Sequence, residues 1–204
     1  MYIPDHFRVT DQKKICDFVR QYPLAVMMIS SGGVPEFCEI PLIYQVIEND
    51  KFILKGHLAL ANPFLSQLSS DVQVTCIFRG PNAYVSPSYT DMQGVPTWNY
   101  TTISIKAVFS KFYEAEELWQ QLKQQTVYFD PESGEQWLSK VNSDRRSKLL
   151  SAIVGIELNV IELDAKFKLS QNRSVKDREK IIQAIANNGS VSAQQLAEFM
   201  ELYK

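Results

Sequence analysis

The sequence predicts a mostly β fold of the α+β class: a small antiparallel barrel or a mixed α+β sheet, with peripheral helices and a helical C-terminal tail. Three observations point there. About six apolar or alternating segments of strand length follow one another, mostly across hairpin-length turns. Helical periodicity occupies the stretches between and after them. The chain has 204 residues, 45% of them hydrophobic, enough to bury a core without metal or disulfide staples. Strands that must hide their edges favour closure into a barrel.

The elements read in order as follows. Ile15, Phe18, Val19 and Tyr22 share one helical face, so a helix is expected from Asp11 to Tyr22, capped by Thr10 or Asp11 and stopped by Pro23. Leu24 to Ile29 is a buried strand leading into a turn at Ser30-Ser31-Gly32-Gly33. Ile40, Leu42, Tyr44 and Val46 alternate with the period of a half-buried strand, and Glu48-Asn49-Asp50-Lys51 turns the chain into a strand at Phe52–Lys55. Asn62-Pro63 opens a helix to about Ser70, because Asn caps and Pro wastes no donor in the first turn. A strand at Val72–Phe78 precedes a loop-rich stretch from Arg79 to Trp98. A long strand from Asn99 to Tyr113 then leads to helices at Glu114–Phe129 and Ser143–Ala152 and a last strand at Ile153–Leu163. Ser174-Val175-Lys176-Asp177 is a capping box for a helix to Ala186, which Asn187-Asn188-Gly189 ends. Ser192-Ala193-Gln194-Gln195 reads as a second box opening the final helix.

Composition removes several classes. A net charge of −2 excludes a polybasic nucleic-acid binder. No apolar run approaches the roughly 18–20 residues of a membrane helix, so no membrane partner is expected. The N-terminus shows no basic-then-apolar signal pattern, and the expected location is the cytoplasm. Cys16, Cys38 and Cys76 form no close pair, which suits reduced thiols, and His6 and His57 alone do not build a zinc site. No Gly-x-Gly-x-x-Gly, Walker loop or Gly-x-Ser-x-Gly occurs, and no Ser/His/Asp or Cys/His set suggests a hydrolase.

Three stretches have the makings of a site. Lys55-Gly56-His57-Leu58-Ala59-Leu60-Ala61-Asn62-Pro63 joins a strand to a helix start, where small residues and a helix N-terminus suit an anion and His57 adds a donor. The same pattern serves a plain turn whose histidine satisfies a backbone carbonyl. Gly80 to Tyr89 and Val95 to Tyr100 form a proline-stiffened aromatic loop. There Trp98 and Tyr100 fall on one strand face and Asn99 on the other, a set suited to a planar heterocycle or to core packing. Ala165 to Lys180 carries six basic and two acidic residues, +4, against −4 for Lys111 to Asp164 with six basic and ten acidic. Such a run holds an anionic cofactor or nucleic-acid phosphate, or is a solvated face.

The motifs Met1-Tyr2-Ile3-Pro4, Gly56-His57-Leu58-Ala59, Ala61-Asn62-Pro63, Phe78-Arg79-Gly80-Pro81, Ala83-Tyr84-Val85-Ser86-Pro87, Val95-Pro96-Thr97-Trp98-Asn99-Tyr100 and Lys168-Leu169-Ser170-Gln171-Asn172 together resemble the PaiB family, in order and along nearly the whole chain. The resemblance implies the FMN-binding split β-barrel shared with pyridoxamine-phosphate oxidases and flavin reductases. It implies a homodimer with FMN at the interface, and negative transcriptional regulation. On that basis Gly56, His57, Leu58, Ala59 and Asn62 are expected on the phosphate side. Tyr84, Ser86, Trp98, Asn99, Lys168 and Gln171 are expected toward the ring or its substrate. Residues 1–173 form the barrel domain, and 174–204 form a helical extension packed on the barrel or the dimer. The family commonly has His where this chain has Asn82 and Glu39, and Trp-Tyr where it has Tyr89-Thr90.

Three functions fit: a flavin-sensing regulator, an FMN-dependent oxidoreductase, or a split-barrel dimer without flavin. The two tail helices have the spacing of a helix-turn-helix. The last, Ala193 to Glu201, has two acids and no base, so a packing role suits it better than DNA contact.

Overall fold

The computed structural model describes residues 1–31, 33–46, 52–91 and 94–203. Among the described residues there are eight strands: β1 (Arg8–Val9), β2 (Leu24–Ser31), β3 (Val34–Pro41), β4 (Ile43–Val46), β5 (Phe52–Ala59), β6 (Gln73–Val85), β7 (Thr97–Phe112) and β8 (Ile153–Lys168). Among the described residues there are six α-helices: α1 (Gln12–Gln21), α2 (Ala115–Phe129), α3 (Gly134–Leu138), α4 (Ser143–Leu150), α5 (Val175–Ala186) and α6 (Val191–Leu202). The hydrogen-bonded strand order is β3-β2-β6-β7-β8-β5-β4, with β1 on β8. The pairs β2–β3, β2–β6, β4–β5, β5–β8 and β1–β8 are antiparallel.

The chain divides into two compact units. Unit 1 comprises Met1–Phe18, Arg79–Ser104 and Asp164–Lys204. Its core is aromatic: the Phe18 and Phe167 ring centroids lie 5.1 Å apart, Phe167 and Phe199 also 5.1 Å, and Phe199 stacks on Tyr203 at 4.5 Å. Ile181, Ile182 and Ile185 of α5 and Leu196 and Met200 of α6 are buried in the same unit. Arg178 fastens the tail by donating to the carbonyls of Leu169, Met200 and Tyr203 at 3.3, 3.1 and 2.7 Å.

Unit 2 comprises Val19–Phe78 and Ile105–Leu163. Alternate residues of its strands, among them Ala25, Met27 and Ile29, Val74, Cys76 and Phe78, and Val154, Ile156 and Leu158, are buried. A separate apolar cluster of Leu118, Trp119 and Leu150 holds α2 and α4, with Phe112, Leu122 and Ile153 against it.

The elements match the sequence expectations with several differences. β1 and α3 have no counterpart among them, and β5 runs past Lys55 to Ala59, so Gly56 to Ala59 lie in a strand and not in the expected strand-to-helix turn. The strand expected across Ile40–Val46 is two strands, and β3 begins at Val34. Its first half is exposed and has no apolar period to read. The turn expected at 48–51 lies outside the described residues, although β4 and β5 pair as that turn requires. β6 does not stop at Phe78 but runs through Gly80 and Pro81 to Val85. Its burial alternation changes phase at Arg79-Gly80, so Phe78 and Pro81 are both inward. β8 runs on to Lys168, which puts the start of the basic segment in a strand. The helix expected to run from Asn62 to about Ser70 is a five-residue 3-10 turn, Pro63–Gln67. Asn62 does cap it, accepting from Phe64 N at 3.0 Å.

The tail shows the capping chemistry once, not twice. Ser174 Oγ accepts from Asp177 N at 3.1 Å and donates to the Asp177 carboxylate at 2.9 Å. The last helix starts at Val191, so Ser192 lies inside its first turn and is not the cap. Its hydroxyl instead accepts from Asn82 N at 3.1 Å and donates to Asn82 O at 2.9 Å.

Candidate functional site

The sequence-assigned residues fall in two groups, one in each unit. In unit 2, β5 carries Gly56, His57, Leu58 and Ala59. Gly56 is small because of packing: a Cβ there would meet Leu42 Cδ2 at 2.8 Å and the Pro41 carbonyl at 3.1 Å. The Leu58 side chain is in the core, and Ala59 is exposed at the strand end. Asn62 gives its side-chain oxygen to the 3-10 turn. That turn is too short to supply an aligned helical dipole, so any anion contact here rests on His57 and its neighbours.

His57 is half-buried, opposite Gly155 of β8. Its Nδ1 lies 2.7 Å from Gln125 Oε1 of α2. Gln125 is 4% exposed and Gln121, one turn earlier, is 3% exposed, and the side-chain nitrogen of each is buried without an acceptor. Two residues back along β5, Lys55 pairs with Glu157 at 3.1 Å. The glutamines escaped the sequence reading, although a signal existed: Gln121 and Gln125 continue the apolar face of Leu118 and Leu122 at helical spacing. The half-buried imidazole can donate to a phosphate oxygen, whereas both carboxamide nitrogens are buried away from any ligand.

In unit 1 the structure brings Tyr84, Trp98 and Lys168 together. Tyr84 and Trp98 are exposed and meet edge-on with centroids 6.2 Å apart. Lys168 Nζ donates to Thr97 Oγ1 and, at 2.7 Å, to Trp98 O. Burial, and secondarily the nearby Lys166 ammonium, holds the Lys168 pKa below the usual lysine value. Asn99 points to the other face, as the alternation requires, and is wholly buried. Its amide accepts from and donates to Ser170 Oγ at 3.2 and 2.9 Å.

Ser170 has φ +61°, a left-handed turn position unusual for serine. Gln171 braces that turn, accepting from Leu169 N at 2.7 Å and donating to Phe167 O at 2.5 Å. Ser86 caps a short 3-10 turn, Pro87–Tyr89, by accepting from Ser88 N at 3.2 Å. Lys180 of α5 pairs with Asp91 of the loop that follows, which draws the exposed Asp91 carboxyl below its usual pKa. Exposed rings beside a pinned ammonium suit one face of a planar, electron-accepting heterocycle.

None of these residues lines the cleft of about 660 Å³ formed in unit 2 by Ile43, Tyr44, Lys123, Val127, Tyr128 and Leu138, among others. No helix among the described residues is long and apolar enough to cross a membrane.

Comparison with known proteins gives the family and the fold. Over 204 aligned residues the chain is 31% identical to "Protease synthase and sporulation protein PAI 2" of Bacillus subtilis (strain 168), spanning 98% of this chain and 97% of that one. An uncharacterized protein of Aspergillus fumigatus is 25% identical over 85% of this chain and 86% of its own. Among solved structures, the FAD and heme binding protein of Mycobacterium smegmatis superposes with a TM-score of 0.64 at 16% identity, covering 90% of this chain and 80% of that one. A flavocytochrome of Azotobacter vinelandii gives 0.63 at 15%, covering 87% and 78%. These likenesses bear out the α+β split-barrel fold class and nothing beyond the fold. The family described as "Putative FMN-binding domain" matches residues 1–162. Together with the full-length similarity to PAI 2, that match means that this chain belongs to the FMN-binding domain family and is a PaiB homologue.

Proposed function

We propose that this protein binds FMN and acts in the cytoplasm as a homodimeric, PaiB-like negative transcriptional regulator. The observation that carries the reading is the coincidence, on one chain, of the FMN-binding family match over residues 1–162 and similarity to PAI 2 from end to end. The flavin-binding neighbours in fold agree with it. The end of β5, with His57, serves the FMN phosphate, and Gly56, Leu58, Ala59 and Asn62 shape the backbone around it. Tyr84, Trp98 and Lys168 serve the ring, and Ser86, Asn99 and Gln171 hold the segments that carry them.

Bound FMN supplies one- and two-electron redox chemistry. The chain's own part is to orient: Thr97 and the Trp98 carbonyl fix the Lys168 ammonium, and Gln125 fixes the His57 ring. The dimer rests on the family resemblance. β3, the outermost strand on its side of the order, exposes Val34 and Phe37 but sets Pro35, Glu36 and Glu39 among them, the residues that guard an edge strand. The exposed positions of α6 carry Gln194, Gln195, Glu198 and Glu201, a set that repels DNA phosphate. Regulation is therefore assigned to the flavin-bound state of the dimer, with α6 as packing.

The test is titration of the full chain with FMN, followed by quenching of flavin fluorescence, with riboflavin as the phosphate-free control. Saturation by FMN and weaker binding of riboflavin support the reading. No saturation by FMN up to about 100 μM, an affinity of roughly −5.5 kcal/mol, overturns it. NADH- or NADPH-driven bleaching of the bound flavin would replace the regulator by an oxidoreductase.

A further inference from the structure

The polar group beneath α2 contains a hydrogen-bond imbalance. With His57 Nδ1 against Gln125 Oε1, both Gln125 Nε2 and Gln121 Nε2 are sealed donors that donate to nothing. Buried donors are rarely left so, because folding strips their water and returns no partner. A carboxamide turned half a revolution about its last bond exchanges oxygen for nitrogen at the same positions. For Gln125 that exchange sets an N–H against His57 Nδ1 and frees an oxygen to accept from Gln121, its neighbour one helical turn away.

We propose that Gln125, backed by Gln121, is a positioning residue that donates to His57 Nδ1 and so holds the ring as its neutral Nε2–H tautomer. This rests on the reading of the β5 end as the FMN phosphate site. Both orphaned amides then find partners within a single chain of donors: Gln121 to Gln125, Gln125 to His57, and His57 Nε2–H to a phosphate oxygen. The Nε2–H donor then serves a phosphate oxygen with no proton taken up on binding.

Around the ring, α2 sets the Gln125 carboxamide against Nδ1, β8 places Gly155 opposite it, and the charges beside it on β5 and β8, Lys55 and Glu157, are paired with each other. The opposite assignment, with Nδ1–H donating to the glutamine oxygen, turns a bare Nε2 lone pair outward, which offers a phosphate oxygen no donor.

The first experiment is long-range proton–nitrogen correlation NMR of the imidazole in the full chain without flavin, between pH 7 and pH 9. An Nε2–H ring is the expected result, and an Nδ1–H ring overturns the proposal. The second compares FMN affinity at pH 8 for the wild type and Gln125→Glu, a near-isosteric change that can only accept. The carboxylate takes the hydrogen bond from Nδ1–H and leaves Nε2 without a proton, so the variant is expected to bind FMN about tenfold more weakly. Riboflavin affinity is equal in the two proteins.

Equal FMN affinity in the two proteins overturns the step from His57 to phosphate. Gln125→Met, which can neither donate nor accept strongly, repeats the NMR test should the glutamate variant fail to fold, and an unchanged Nδ1 hydrogen bond there also overturns it. An Nε2–H ring in a protein whose FMN affinity ignores both substitutions refutes the phosphate assignment and leaves the positioning role standing.

Discussion

The aromatic centre of unit 1 makes a quantitative prediction through Gly80. A Cβ at this position would meet Phe18 Cε2 at 2.7 Å and Cζ at 2.9 Å, and would also run into Thr101 Oγ1. Phe18 is 1% exposed and packs on Phe167 and Phe199. Gly80→Ala is therefore an overpacking change in a tight core, costing about 1–3 kcal/mol. Phe18→Ala removes a ring and leaves a cavity beside two aromatic partners, costing about 3–5 kcal/mol. The double variant is not the sum of the two. With the ring gone the new methyl has room and fills part of the cavity, so the pair should recover about 1–2 kcal/mol relative to additivity.

The recovery is partial because Thr101 still opposes the methyl. Urea unfolding of the four proteins measures the cycle, and thermal unfolding gives the same order. For a chain of this size Phe18→Ala alone lowers Tm by about 6–20 °C. Additivity within about 0.5 kcal/mol would refute the reasoning, because it would mean that Gly80 is small for a reason unrelated to the Phe18 ring.

Further outcomes follow from single sites. Ser174→Ala removes the hydroxyl that accepts from Asp177 N, and should cost about 1 kcal/mol by urea unfolding, while Ser192→Ala leaves the start of α6 without loss of a cap. Burial pushes the Cys38 thiol up to about 11, and it pushes the wholly buried Cys76 higher still, with the nearby Cys38 adding to the shift. Iodoacetamide labelling of Cys38, followed by mass spectrometry, should rise about tenfold per pH unit up to that value, while Cys76 stays unlabelled in the folded protein. The sign for stability is fixed by the raised folded-state pKa. Cys76 helps fully below its unfolded pKa of about 8.5, and its contribution is lost as pH rises further, by at most about 1.4 kcal/mol per unit. Cys76→Ala should therefore flatten the alkaline limb of the unfolding profile, and an identical limb in both proteins would contradict the burial argument.

What the sequence disclosed, and what it hid, divides along physical lines. Local chemistry was legible. The Ser174 cap, the Asn62 cap and the outward–inward alternation of Trp98 and Asn99 each depend on residues within three or four positions of one another. The errors came where a distant partner decides. Ser192 has the spacing of a cap, but its hydroxyl is claimed by Asn82, 110 residues away. The run Arg79-Gly80-Pro81 carries every mark of a loop, and stays in β6 because Thr101 Oγ1 donates to Pro81 O and the Phe18 ring lies against Gly80. The exposed half of β3 follows the pairing of Val34–Phe37 with β2, not any pattern of its own.

The candidate site obeys the same rule, and that explains why its most informative member was missed. His57 was visible as one of two histidines, in a stretch short of other polar side chains. Gln125 was not, because a single glutamine on the buried face of a helix reads as a flaw in an apolar stripe. A buried carboxamide is costly unless its donors and acceptor are used. Two of them four residues apart, facing a histidine 68 residues away, are better explained by the ring they orient than by packing, for which leucine would serve at lower cost. Substitution separates the two explanations. If packing were the whole reason, Gln121→Leu would stabilise the protein and leave the His57 tautomer as it was. If the amides exist for the ring, the same change leaves the Gln125 oxygen buried without a donor, so it costs stability, weakens the hydrogen bond at Nδ1 and loosens the grip on phosphate together.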